Sequence, residues 1–61
     1  MTTTQEVEGL LKKGRAYAGR TKYKEALAYY EKALALAPNT AEAWYLRAAA
    51  FIETGRNEEA I

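Results

Sequence analysis

The sequence predicts an all-α fold of antiparallel helix-turn-helix repeats, with three helices and the start of a fourth. Three observations support this prediction. Apolar residues recur at steps of three and four, which places them on one face of a helix. Residues that end helices, Gly19, Pro38 and Gly55, divide the chain into segments of helical length. The second half of the chain also matches the first half after a shift of 34 residues.

The first helix is expected at about 4–19. Thr2 or Thr3 can cap its start, and Gln5 or Glu6 lies three residues farther on, at the spacing of a capping box. The apolar and small residues of this segment recur at helical spacing: Val7, Leu10, Leu11, Gly14, Tyr17 and Ala18. The segment is therefore predicted to bury one face.

The second helix is expected at about 23–36. We expect Gly19 to take the left-handed conformation that ends the first helix, and Thr21 to cap the second. Pro38 stops the second helix, because the residue before a proline is pushed out of the helical region. Its buried face is predicted from residues at helical spacing: Ala26, Leu27, Tyr30, Ala33, Leu34 and Ala37.

The third helix is expected at about 41–54. Asn39 and Glu42 stand at capping-box spacing at its start, and Gly55 is expected to end it. Asn57 can then cap a fourth helix, of which the sequence contains one turn.

The third helix is apolar on nearly all sides. Between residues 41 and 52 only Glu42 and Arg47 are charged. A helix that is apolar on nearly all sides is usually buried by neighbours on several of them. The second helix can cover one of these sides. A 61-residue chain without cysteine or histidine has little else to stabilise it. We therefore expect a homo-oligomer that buries Trp44, Phe51 and Ile52.

The 34-residue shift aligns residues 7–27 with residues 41–61. Four positions are identical: Glu8 and Glu42, Ala16 and Ala50, Glu25 and Glu59, and Ala26 and Ala60. Apolar or small residues also coincide: Leu10 with Trp44, Gly14 with Ala48, Tyr17 with Phe51, and Leu27 with Ile61. The chain is thus predicted to be one unit, residues 1–61, with one repeat at 7–40 and a partial repeat at 41–61.

This pattern resembles the tetratricopeptide repeat, a 34-residue helix-turn-helix unit. The positions that carry the resemblance are Leu10, Lys13, Gly14 and Tyr17, then Ala26, Tyr30 and Pro38, and in the second unit Trp44, Arg47, Ala48, Phe51 and Ala60. Lys13 and Arg47 depart from the pattern, which often has Leu there, and Thr21 stands where the turn often has Gly. The resemblance implies an α-α superhelix in which small residues let helices approach and aromatic residues fill the remaining space.

The resemblance also implies a protein-protein interaction scaffold. Such arrays bind an extended peptide or a helix in a groove lined by the first helix of each repeat. The matching positions are Leu11, Arg15, Ala18, Glu42, Tyr45, Ala49 and Ile52. Several of these are apolar, which favours an apolar or amphipathic helix as ligand. The alternative is a structural or engineered repeat fragment whose only partner is itself.

The chain offers few candidate catalytic residues. The chain has no His, Cys or Asp, so it lacks the usual nucleophile, acid-base and metal-ligand sets. We expect no enzyme activity, no cofactor, no metal and no membrane span, and the lack of a basic, apolar leader favours a cytoplasmic location.

Charge is unevenly distributed along the chain. Through Lys24, six basic residues oppose two glutamates, whereas from Glu25 onward six glutamates oppose three basic residues. The first part therefore carries +4 and the second −3. The basic region between Lys12 and Lys24 leaves weak nucleic-acid binding open as a further alternative, although single-strand recognition also needs exposed aromatic residues. Contact between unlike ends of two copies is another interpretation, and the simplest is that the two parts are solvated surfaces.

Overall fold

A computed structural model describes the backbone of residues 2–60 and the side chains of residues 4–55. It contains three helices, α1 (Thr2–Gly19), α2 (Tyr23–Leu36) and α3 (Ala41–Ala60). The all-α prediction is confirmed. The bounds of α2 agree with the prediction, whereas α1 begins two residues earlier.

Helix α2 lies against both of the other helices. Leu10 of α1 lies near Leu36 at the end of α2, and Tyr17 stacks on Tyr29 with ring centroids 5.4 Å apart. These two contacts place α1 and α2 antiparallel, as short loops between packed helices favour. Glu31 of α2 pairs with Arg47 of α3. With two reversals of direction, α1 and α3 run parallel and face each other on one side of α2.

The core lies along α2. The buried residues are Val7, Leu11, Ala26, Tyr30, Ala33, Leu34, Ala43 and Ala50. Tyr30 is 1% exposed and sits against Gly14, where a Cβ would fall 2.8 Å from Cδ1 of the ring. The predicted alternation of small and aromatic residues therefore holds between α1 and α2. Tyr17 stacks on Tyr29, so a second aromatic contact joins α1 and α2 beside that of Tyr30.

The turn after α1 differs from the prediction. No glycine has a positive φ among the described residues, whereas Thr21 has φ 61°. The amide of Lys22 donates to the carbonyl of Tyr17 at 2.9 Å, and that of Thr21 donates to Ala18 at 3.0 Å. These two hydrogen bonds form a Schellman motif with Thr21 at its left-handed position. Thr21 therefore takes the left-handed cap position expected of Gly19, and its hydroxyl donates to the carbonyl of Arg20 and accepts no hydrogen bond from an amide of α2.

The break expected at Gly55 is absent. Helix α3 continues to Ala60, through the position of the expected fourth helix. The physical reason is cooperativity: a new helix must fix several residues before its first hydrogen bond, whereas extension adds one bond for each residue fixed. The few residues after Gly55 therefore extend α3, and the start of a fourth helix is not observed.

Candidate binding surface

A groove runs between the parallel helices α1 and α3. Three adjacent recesses make up this groove, with volumes of about 160, 290 and 200 Å³. Side chains of α1 form one wall and those of α3 the other, while Tyr23 and Tyr30 of α2 close one end from behind. The groove exists because α2 packs against both helices and holds them side by side.

An ion pair crosses the groove. Arg15 donates from its Nη1 to Oε2 of Glu42 at 3.1 Å, and the two side chains are 55% and 54% exposed. Exposed pairs of this kind contribute about 0–1 kcal/mol. The pair therefore closes the groove weakly, and a ligand could displace it at small cost.

The recess nearest the C-terminal ends of α1 and α3 is mainly apolar. It is lined by Arg15, Ala18, Tyr23, Tyr30, Leu46, Ala49, Ala50 and Glu53. Alanines on both walls leave room that larger side chains would fill. Burial raises the pKa of the Tyr30 phenol above its ordinary value of 10.0, and the positive charge of Arg15 opposes this rise. The phenol is therefore neutral at physiological pH.

The two recesses toward the N-terminal end are more polar. Glu8, Lys12, Arg15 and Glu42 surround the middle recess, and Leu11 forms its apolar part. The third recess adds Thr4, Val7, Ala37 and Thr40. The groove thus has an apolar recess at one end and a charged recess in its middle, which suits a ligand that is itself amphipathic.

The structure brings together five of the seven predicted groove residues. Arg15, Ala18, Glu42 and Ala49 line the recesses, and Leu11 lies beneath them at 4% exposed. Tyr45 and Ile52 line none of the recesses above, although they are 71% and 60% exposed. In the 34-residue alignment they match Leu11 and Ala18, which face α3. Tyr45 and Ile52 therefore lie on the outer rim of the α3 wall, one helical turn from Ala49 and on the side that points away from α1.

A second surface lies on α3, away from the groove. Trp44 and Phe51 are 50% and 47% exposed. The guanidinium carbon of Arg47 lies 5.8 Å from the centroid of the Trp44 ring and 4.7 Å from that of Phe51. We call Trp44, Arg47 and Phe51 the aromatic platform. Ala48 is exposed between the rings, so the small residue expected at a helix crossing has no helix across it among the described residues.

Two further contacts fix the platform. Nε1 of Trp44 donates to the carbonyl of Pro38 at 2.7 Å, and Nε of Arg47 lies 3.6 Å from Oε2 of Glu31. Arg47 stands where the repeat pattern often has Leu, and the sequence pattern alone marks it only as a departure. Its spacing from Trp44 and Phe51, three and four residues, could have indicated the cation-π contacts.

The basic region does not form an aromatic binding face. Its lysines and arginines are exposed, and Arg15 pairs with Glu42. Tyr23, which stands between Lys22 and Lys24, is half-buried and lines the groove. Among the described residues, no group of three or more side chains suits a metal ion, and no helix is both long and apolar enough to cross a membrane.

Comparisons with known proteins agree on one family. The family model for the tetratricopeptide repeat matches residues 11–61. The mouse (Mus musculus) protein DnaJ homolog subfamily C member 7 is 39% identical over 57 residues. That match covers 93% of this chain but 12% of the mouse protein, so the chain spans about an eighth of its relative. No solved structure gives a significant match.

Proposed function

Because the chain belongs to the tetratricopeptide repeat family, we propose that it is a protein-protein interaction module that binds an amphipathic helix of a partner protein in the groove between α1 and α3. The main support is the shape and polarity of the groove. Its apolar end is lined by alanines, and its middle carries charges of both signs. Helix-in-groove recognition uses apolar anchors at positions i, i+3, i+4 and i+7. An anchor side chain fits beside Ala18 and Ala49, and polar residues of the ligand then meet Glu8 and Lys12.

A ligand with a free carboxylate is not favoured as the main anchor. Family members that clamp a C-terminal carboxylate resemble this chain in fold but use a Lys and an Asn of the first repeat. Leu11 and Arg15 stand at those positions here, and Arg15 is already paired with Glu42. The apolar end of the groove therefore provides the anchor in this proposal.

A library of random peptides displayed on phage tests the proposal. We expect enriched peptides to carry apolar residues at helical spacing and to bind the isolated chain. Ala49→Arg places a long charged side chain in the apolar recess and should weaken binding of the selected peptides at least tenfold, about 1.4 kcal/mol. Ala28→Arg is the matched control, because Ala28 is exposed on α2 and lines none of the recesses of the groove.

The two variants give a clear decision. Fluorescence polarisation with a labelled selected peptide measures both affinities, and circular dichroism verifies that both variants are helical. If Ala49→Arg and Ala28→Arg bind every selected peptide equally, the groove is not the binding site.

Self-association is a second candidate function. Trp44 and Phe51 support it, because half-exposed aromatic rings on a well-fixed platform are typical of interaction surfaces. Ile52, on the neighbouring side of α3, can extend the contact. Weak nucleic-acid binding has less support, since the basic region lacks an exposed aromatic partner. The cytoplasmic location stays a prediction from the sequence.

A further inference from the structure

The side chains of the aromatic platform are held in place within the chain itself. Hydrogen bonding fixes Trp44, and the guanidinium of Arg47 holds both rings. A surface whose side chains are already ordered loses less conformational entropy on binding than a mobile one. The platform is therefore a docking surface that needs a complementary recess.

Such a recess exists at the opposite edge of the molecule. It has a volume of about 270 Å³ and lies between α1 and the end of α2. Its lining residues are Glu6, Gly9, Leu10, Lys13 and Leu36. Leu36 is 47% exposed, and Gly9 leaves the backbone of α1 open, with nothing within 4 Å of where a Cβ would stand. We call it the Leu36 recess.

We propose that copies of this chain associate head to tail, with the aromatic platform of one copy seated in the Leu36 recess of the next. This inference extends the self-association candidate of the proposed function by naming the two surfaces. Phe51 supplies a bulky side chain, and Gly9 supplies the space for a close approach. The recess has one acidic and one basic side chain, Glu6 and Lys13, and Glu6 has the charge opposite to that of Arg47.

Charge distribution favours contact between unlike ends. The residues through Lys24 carry +4 and the remainder −3. A two-fold contact between α3 helices would bring together two segments, residues 41–60, with four glutamates and two arginines each. Like charges repel in that arrangement, whereas α1 carries three basic residues and two glutamates. The head-to-tail arrangement avoids this repulsion.

The contact is small, which determines how it must be measured. A fully buried aromatic side chain removes about 150–250 Å² from water, and each ring of the platform is already half covered. The interface is thus of the weak, concentration-dependent class. Head-to-tail contacts also leave both ends free, so they continue beyond a dimer.

Sedimentation equilibrium tests the proposal on the 61-residue chain. From about 10 μM to about 1 mM, a range that brackets weak association, the average mass should rise past that of a dimer without a plateau. Leu36→Glu blocks the recess, and Phe51→Glu blocks the platform. Each variant alone should remain a monomer. An equal mixture should form a heterodimer and nothing larger, because each variant retains the surface that the other lacks.

A matched control and a folding test accompany these variants. Ala28→Glu introduces the same charge at an exposed position of α2 outside both surfaces and should associate as the original chain does. Circular dichroism should show equal helix content in all three variants, since Leu36 and Phe51 are both about half exposed.

Three results would overturn the inference. The first is a monomeric original chain at the highest concentration. The second is a Leu36→Glu variant that still forms dimers, which would indicate a two-fold contact of α3. The third is a mixture of the two variants that stays monomeric. None of these results affects the groove, because neither residue lines it; selected peptides should still bind Phe51→Glu.

Discussion

Gly14 is a position where α1 and α2 approach closely. A Cβ there would overlap the Tyr30 ring, and Tyr30 cannot move aside because it is 1% exposed. We expect Gly14→Ala to lower the free energy of unfolding by about 1–3 kcal/mol through overpacking. Gly19→Ala is the control. Gly19 is helical and has open space around it, so alanine there should stabilise by about 0.5–1 kcal/mol.

Thermal unfolding followed by circular dichroism compares the two glycine variants. Equal effects on the midpoint would mean that Tyr30 does not pack against α1 as described. The same overpacking argument extends to Ala26→Leu and Ala33→Leu, because both alanines are fully buried along α2.

Thr21 stores strain in the turn between α1 and α2. Its φ of 61° lies in the left-handed region, which costs a non-glycine residue about 1–3 kcal/mol. Thr21→Gly should therefore raise the free energy of unfolding, by about 1 kcal/mol after the extra backbone entropy of glycine is subtracted. The expected rise of the thermal midpoint is about 4–8 °C. Thr21→Asn should give a smaller gain, since asparagine tolerates this conformation. A lower midpoint for Thr21→Gly would contradict the Schellman motif.

Tyr30 makes stability depend on pH in the alkaline range. Burial raises the pKa of its phenol in the folded state above 10.0. The folded state therefore holds the proton more tightly than the unfolded state, so the contribution of Tyr30 is fully present below pH 10 and is lost as pH rises through the folded pKa. Urea titrations between about pH 9 and pH 11, on either side of the ordinary tyrosine pKa, should show this loss. The free energy of unfolding of Tyr30→Phe should depend less steeply on pH in this range. An unchanged slope would contradict the raised pKa of the buried phenol.

At the scale of helices, sequence patterns predicted where elements lie better than where they end. Pro38 has a local steric effect, so the end of α2 was predicted correctly. Gly19 and Gly55 only permit a helix to end, and whether it ends there depends on the packing of the following residues. Helix α1 ends at Gly19 as predicted, but the left-handed residue of its cap is Thr21, and α3 continues through Gly55.

Gly55→Ala tests whether α3 is continuous. Gly55 lies inside the helix, its φ is not positive, and no described atom approaches its Cβ position. Alanine should therefore increase helix content and stabilise by about 0.5–1 kcal/mol. Circular dichroism of the two chains measures this change. If Gly55 instead took the left-handed conformation expected from the sequence, alanine would destabilise the chain.

At the scale of the whole molecule, the sequence predicted one wall of the groove better than the other. Each groove residue on α1 has α3 beside it, so the prediction for Leu11, Arg15 and Ala18 depended only on contacts within the chain. The predictions for Tyr45 and Ile52 depended on a further repeat beyond α3. The Leu36 recess was not predicted, because it combines residues of α1 with the end of α2, which share no periodic pattern.

The two charged ends predict how salt should affect self-association. Raising ionic strength from about 0.01 M to about 0.15 M shortens the Debye length from about 30 Å to about 8 Å. If the end carrying +4 meets the end carrying −3, this screening removes an attraction, and the average mass at fixed concentration should fall. A two-fold contact between α3 helices brings like charges together, so screening would raise the mass instead. Sedimentation of the original chain at both salt concentrations distinguishes the two arrangements by the sign of the change.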